Sequence, residues 1–360
     1  MKAIVHVVGA RPNFMKLSPV YQAIRDTLPT VNQQIIHSGQ HYDPIMSDVF
    51  FKQLHIPSPN INLSVNQGSA IEQIGQGILK LLPVLQDIQP DLVCIYGDVN
   101  AVAFASMVAA KLEIPIAHIE SGLRSFDRQM PEETNRIVAD ALSDYLFTPS
   151  LDANDNLLKE GKHPDQIFFV GNVMIDTLIR FMPQIDSAKL PEIVPTTYGL
   201  VTLHRPTNVD QPKRFLEILD TLRRISERLP IVFPVHPRTQ KHLDSDLSKS
   251  YPNIMFTSPM QYFEFIKLQK NATYVITDSG GVQEETTFLG VPCFTLRPNT
   301  ERPVTSLVGT NILVGEHTRD LEKHINLFFE QGQKAAEVPP YWDGKASQRI
   351  AHIFKQILNL

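Results

Sequence analysis

Residues 118–136, HIESGLRSFDRQMPEETNR, hold four carboxylates and three guanidiniums in a stretch with weak secondary-structure signals, as an active-site loop would. The stretch follows the apolar run 114–119, which has the character of a buried strand. It ends where Asn135 and Arg136 begin a helical pattern through Ile137, Val138 and Leu142. Open α/β sheets bind their ligands at the carboxyl ends of their strands. Glu120 stands at such an end, and Asp98 stands at the end of the preceding apolar run, 91–96. With Glu132 these acids are candidates for general acid and base, because neighbouring carboxylates in a closed site push each other's proton affinities apart. A solvated loop whose charges neutralise one another is the competing reading. The adjacency of Glu132, Glu133 and Arg136, and the position of Glu120, weigh against it.

A second chemistry is anion binding. In TDSGGVQEE, residues 277–285, Gly280 and Gly281 let the backbone turn tightly after Ser279 and leave successive N–H groups at a helix N-terminus facing an anion. The Glu284–Glu285 pair one helical turn on places a carboxylate for ribose hydroxyls, which favours a nucleotide over a plain glycine turn. Arg11 and Lys16 follow the first strand, beside another helix N-terminus, and suit phosphate; ordinary surface bases are the alternative. His204 and His236 close two further strands and are followed by Arg205 and by Pro237-Arg238, which suits phosphate contact or proton transfer.

Several classes are excluded. There is no G-x-x-x-x-G-K-[ST] and no G-x-G-x-x-G after the first strand, so neither an ATP-hydrolysing phosphate loop nor a nicotinamide dinucleotide site is expected. Without C-x-x-C or H-E-x-x-H spacing no metal site is expected. The net charge of −5 and the lack of a basic tract argue against nucleic acid as a partner. No apolar run approaches the ~20 residues of a membrane span, and MKAIVHVVGA lacks a leader's core and cleavage site, so the expected location is the cytoplasm. Cys94 and Cys293 sit in apolar runs of different halves, as reduced core thiols would.

These residues must be positioned by elements, and the chain supplies them twice. At 360 residues it suits two domains of roughly 100–200 residues each. Strand-like runs at 2–8, 35–38, 91–96, 114–119, 145–148 and 167–170 alternate with helical patterns after Pro12 and at 70–85, 101–112 and 151–160. That alternation predicts a doubly wound parallel sheet. The rhythm restarts with strands at 199–203, 231–235, 274–277 and 291–296, and helical patterns follow at 321–329 and 346–360. The expected domains are 1–172 and 198–345, with 173–197 as a linker rich in proline.

The motifs GARPNFMK, SGQHYD, YGDVNA, HIESGLRSFDRQMPEETNR, LHRPTN, PVHPR, TDSGGVQEE and LRPNTERP, in that order over nearly the whole chain, closely resemble the bacterial UDP-N-acetylglucosamine 2-epimerase family of the non-hydrolysing type. The resemblance implies two Rossmann-like doubly wound α/β domains facing a cleft, the glycosyltransferase-B architecture, with helix 346–360 returning to the first domain. It implies a cofactor-free interconversion of UDP-GlcNAc and UDP-ManNAc for cell-surface polysaccharide precursors. A base takes the C2 proton as UDP leaves C1, and UDP adds back to 2-acetamidoglucal after reprotonation from the other face. It carries catalysis to Asp98, Glu120, Glu132 and His204. Arg11, Lys16 and Arg136 fall around the diphosphate and sugar. Ser279, Gly280 and Gly281 match the phosphate nest, Glu285 the ribose acid and Phe265 the residue near uracil. His236 and Arg302 are grouped with the UDP-binding set. A homodimer is expected from the family. The forms GDVNA and RQMPEE, where the commonest members read GDTTT and SPWPEE, resemble a branch with enzymes of 2,3-diacetamido-glucuronic acid nucleotides. That substrate is an alternative, as is a hydrolysing epimerase releasing ManNAc and UDP. A glycosyltransferase of the same fold is an alternative from another class, and a UDP-sugar-binding regulator is a non-enzyme one.

Overall fold

The computed structural model describes residues 1–39, 50–243 and 245–360, with backbone alone at positions 11, 245 and 246. Contacts divide the chain into two units, Met1–Ile179 with Pro340–Leu360, and Arg180–Pro339. The crossings fall at 179–180 and 339–340, against the expected 173–197 and 345–346. Within 173–197, residues 173–187 are mostly helical and an irregular stretch follows; the two helices fall on either side of the crossing at 179–180.

In unit 1 the strands are β1 (Ala3–Val8), β2 (Asn32–His37), β3 (Ile61–Asn62), β4 (Leu92–Tyr96), β5 (Ile116–Ile119), β6 (Tyr145–Thr148) and β7 (Ile167–Phe169). They form one parallel sheet in the order β3-β2-β1-β4-β5-β6-β7. Strands such as LVCIY are apolar on both faces because helices cover both sides of a parallel sheet. The helices include α1 (Arg11–Thr27), α2 (Ala70–Ile88), α3 (Asn100–Lys111), α4 (Pro131–Leu142), α5 (Leu151–Lys159) and α6 (Val173–Arg180). Small residues set how closely α2 and α3 approach: a Cβ on Gly77 would lie 2.3 Å from the Phe104 ring.

Unit 2 holds β8 (Gly199–Thr202), β9 (Ile231–Pro234), β10 (Ile254–Thr257), β11 (Tyr274–Thr277), β12 (Cys293–Thr295) and β13 (Asn311–Leu313), all parallel, in the order β10-β9-β8-β11-β12-β13. Its helices include α7 (Met182–Ser187), α8 (Pro212–Ser226), α9 (Tyr262–Asn271), α10 (Gly280–Leu289) and α11 (Thr318–Gln331). The core on one face of the sheet joins Phe215, Ile218, Leu222, Phe233, Phe294 and Leu321.

The last helix, α12 (Ala346–Ile357), packs on α1 of unit 1. Phe354 meets Phe147 edge-on, the Trp342 indole N–H donates to the Pro149 carbonyl at 3.0 Å, and the buried Asp176 carboxylate accepts from the Ala346 and Ser347 N–H groups at 3.2 and 2.7 Å. Asp176 thus caps a helix distant in sequence. Gly171, at φ +91°, receives the returning chain, for a Cβ there would fall 2.0 Å from the Tyr341 carbonyl oxygen.

In both sheets the chain winds outward on one side and then restarts on the other. The switch points are β1/β4 in unit 1 and β8/β11 in unit 2. Crevices at such points are where doubly wound folds take ligands.

Candidate active site

At the unit 1 switch point the Gly97-Asp98 turn follows β4. Gly97 has φ +67°, and a Cβ on it would lie 2.5 Å from Lys16 Nζ and 3.4 Å from Glu120 Oε1. Only glycine fits between that pair and the turn. Lys16, projecting from α1, donates to Glu120 Oε1 at 2.6 Å, with both side chains almost fully buried. Glu120 itself has φ +71°, a conformation that costs a non-glycine residue of order 1–3 kcal/mol and that clusters at functional sites.

Asp98 meets Arg136, whose Nη1 donates to Oδ2 at 2.5 Å. Arg136 is 1% exposed and is also held by Glu133, 2.7 Å from Nη2. The helix carrying both starts at Pro131, not at Asn135 as the apolar pattern suggested. Proline's fixed φ and missing N–H suit a first helical position. Glu132 and Glu133 therefore lie in a helical first turn, and Glu133 reaches Arg136 at i,i+3. Burial pushes the Glu133 carboxyl up, but the Ser125 N–H bond and Arg136 outweigh it and hold the group below the ordinary carboxylate range. Glu133 also accepts from the N–H groups of Ser125 and Phe126 at 2.9 Å, so it ties down the loop. Glu132 is half-buried and has no ion-pair partner among the described residues.

Unit 1 thus brings together Lys16, Asp98, Glu120 and Arg136, with Glu132 at the start of α4. Arg11 opens α1, and its side chain lies outside the described residues, as does SGQHYD from Gln40 onward. Buried partners that the residue pattern did not single out complete the unit 1 site. Asn13 donates to the Tyr96 carbonyl at 2.8 Å, Asn135 donates to the Asp98 carbonyl at 2.9 Å, and His118 lies between Asp140 and the Gly97 carbonyl. A histidine amid the apolar IAHI strand was the available signal, since a buried imidazole requires partners.

At the unit 2 switch point buried Asp278 accepts from the N–H groups of His204 and Arg205 and from Asn208, and His204 Nδ1 lies 3.2 Å from its Oδ1. Burial pushes Asp278 up, yet the His204 bond and charge, with the other donors, keep it below its usual range. The His236 ring lies 5.3 Å from that of His204, centroid to centroid, and its Nδ1 accepts from the Arg238 N–H. Ser279 stands at the N-cap position of α10 without a side-chain capping bond, and the first N–H groups at Gly280 and Gly281 have no partner within the helix. A Cβ on Gly280 would fall 2.4 Å from Arg302 Nη1, so Arg302 packs directly behind this turn. It is no isolated cation, being shared between Glu284 Oε1 at 3.0 Å and Glu301.

Glu285, further along α10, accepts from Gln269 at 2.8 Å. Burial raises its carboxyl to about 8, with the Glu284 charge adding to the rise and the Gln269 bond opposing it. Phe265 is half-buried one turn before Gln269 on α9, on the same face. Unit 2 therefore groups His204, His236, Ser279, Gly280, Gly281 and Arg302 at the strand ends and the start of α10, with Glu285 and Phe265 along two neighbouring helices. Cys94 and Cys293 are buried free thiols, and the described residues contain no cluster of His, Cys, Asp and Glu able to hold a metal.

Two doubly wound units with polar residues gathered at their switch points define a protein of the glycosyltransferase-B fold class. The family model described as UDP-N-acetylglucosamine 2-epimerase matches residues 23–355, and the chain belongs to that family of epimerases. It is 40% identical over 359 residues to the UDP-N-acetylglucosamine 2-epimerase of Methanocaldococcus jannaschii, covering 96% of this chain and 97% of that one. A crystal structure of the M. jannaschii UDP-GlcNAc 2-epimerase in complex with UDP-GlcNAc and UDP superposes with a TM-score of 0.89 at 40% identity, over 99% of this chain and 100% of the other. The UDP-2,3-diacetamido-2,3-dideoxy-D-glucuronate 2-epimerase of Pseudomonas aeruginosa is 38% identical over 359 residues, covering 98% of this chain and 99% of that one.

Proposed function

We propose that this enzyme interconverts UDP-GlcNAc and UDP-ManNAc. A carboxylate takes the C2 proton, the electrons of that C–H bond form the C1–C2 double bond, and the C1–O bond breaks to release UDP. Reprotonation of the 2-acetamidoglucal from the opposite face and return of UDP to C1 complete the reaction. The observation that carries this reading is that Asp98 and Glu120, at the ends of the neighbouring strands β4 and β5, are each held by a buried cation. A carboxylate fixed by a buried partner is aimed before the substrate arrives, which is what proton transfer at carbon requires.

Asp98, Glu120 and Glu132 form the acid–base set, and His204, oriented by Asp278, supports it. Lys16, Arg136 and Arg11 serve the sugar and diphosphate. His236 and the Ser279-Gly280-Gly281 turn, backed by Arg302, take the phosphates, where positive groups stabilise charge developing on the leaving UDP. Glu285 takes the ribose and Phe265 lies by the uracil. The buried thiols Cys94 and Cys293 suit the reducing cytoplasm, where we place the enzyme as a homodimer.

Incubation with UDP-GlcNAc in deuterated water tests the chemistry: deuterium at C2 of product and recovered substrate is expected, and unlabelled sugar after long incubation would end the proposal. The P. aeruginosa relative, at an identity close to that of the M. jannaschii one, supports a second substrate, the 2,3-diacetamido uronate. The two nucleotide sugars run side by side decide between them, and accumulation of free ManNAc would mark a hydrolysing enzyme.

A further inference from the structure

We infer that His118 is a positioning residue that aims the Asp98 carboxylate by holding the carbonyl of Gly97. This deepens the epimerase reading, on which its catalytic consequence rests. His118 lies in the middle of β5 with no exposed surface. Its Nε2 is 2.7 Å from the Gly97 carbonyl oxygen, and its Nδ1 is 2.6 Å from Asp140 Oδ1. A carbonyl oxygen only accepts. Asp140 also accepts from the Gly122 N–H at 3.0 Å and faces Arg124 Nη1 at 2.7 Å, so it is an ionised acceptor. Nε2 of His118 therefore donates to the Gly97 carbonyl, while Nδ1 faces the Asp140 carboxylate. Arg124 continues to Glu160 Oε2 at 2.6 Å.

The Gly97 carbonyl and the Asp98 N–H belong to one planar peptide unit. Fixing the carbonyl fixes the plane, and with it the direction in which the Asp98 side chain leaves the backbone. The other bonds of the turn fix its flanks: Gly97 N–H donates to the Ile119 carbonyl at 2.9 Å, Asn135 donates to the Asp98 carbonyl, and Arg136 holds the carboxylate. Among the described side chains, only His118 is seen to hold the carbonyl of the plane itself. The chain Glu160–Arg124–Asp140–His118–Gly97 thus runs from the residue after α5 through α4 and β5 to the catalytic turn.

Nitrogen-15 spectra of histidine-labelled protein, with the His118 signals identified by their loss in His118→Gln, test the ring directly. A proton on Nε2 is expected, and an unprotonated Nε2 would overturn the inference. In Asp140→Asn, which keeps the shape but not the charge, the Nε2 signal should shift as the ring loses its anchor. Both variants should lower the rate of deuterium entry at C2 by about 10²-fold, the scale of a ~1 Å misplacement, with the UDP dissociation constant within twofold of wild type. An unchanged rate in a folded variant with an altered ring would overturn the positioning role. Should His118→Gln fail to fold, Asp140→Asn and the wild-type ring decide alone. A wild type that exchanges no deuterium sinks the epimerase reading and the catalytic role together, while the ring spectra still report whether His118 Nε2 donates.

Discussion

Each candidate acid at the unit 1 switch point has a different environment. Glu120 is buried against Lys16, Asp98 is partly exposed against Arg136, and Glu132 is half-buried. Asp98→Asn and Glu120→Gln should each slow deuterium entry at C2 by roughly 10²–10⁴-fold, the usual contribution of a positioned acid or base, while UDP still binds; retention of wild-type rates would remove the residue from the mechanism. Glu285 carries a pH signature of its own. Its carboxyl is raised from 4.5 to about 8 by burial, so the folded state holds the proton more tightly than the unfolded state. The associated stability is fully present below pH 4.5 and is lost as pH rises through 8. Glu285→Gln should flatten the melting temperature against pH across that window, and an unaltered profile would assign the pH dependence to other groups. The acids at strand ends and the Gly280-Gly281 turn were legible in sequence because residue type and strand position are local. Their cations were legible only as charges. Pairing Lys16 with Glu120, across 104 positions, depends on β1 lying near β5.

Among the elements, sequence reading succeeded for long buried strands and for the edge strand β7, but missed the other three edges. β3, β10 and β13 were not anticipated, and all three are edge strands of two to four residues with partly exposed faces, which leave no continuous apolar run. Helix α8 was also passed over, although Phe215, Ile218, Leu222 and Ile225 give it a buried stripe. The start of α4 was placed too late because the acidic pair looked like loop polarity, whereas the proline before it occupies the first helical position. Glycine positions give a test at this scale. Gly171 and Gly161 share a left-handed φ near +90°, but only Gly171 faces another segment, the Tyr341 carbonyl. Gly161→Ala should cost about 1–2 kcal/mol from conformation alone. Gly171→Ala should cost several kcal/mol more in urea unfolding, and equal costs would show that the returning chain does not press on that position.

For the whole molecule, the repeat of one topology was readable, with strand and helix alternating through both halves, but the affiliation of the final segment came only from the resemblance. Helix α12 buries Ile350, Ala351 and Phe354, and Trp342 is buried beside it. Large apolar side chains such as Ile350 and Phe354 are each worth about 1.5–3 kcal/mol, a sum that is a sizeable share of the roughly 5–15 kcal/mol stability of a typical domain. Deleting residues 340–360 should therefore unfold unit 1 and leave the protease-resistant core of unit 2 intact; a cooperative unit 1 transition in the truncated protein would contradict the packing described for α12.

The same covering segment imposes an order on biosynthesis. Translation delivers every residue of Arg180–Pro339 to the exit tunnel before it delivers Trp342 and Phe354, so the half that is begun first is completed second. During that interval the nascent polypeptide carries an α1 surface still waiting for its cover.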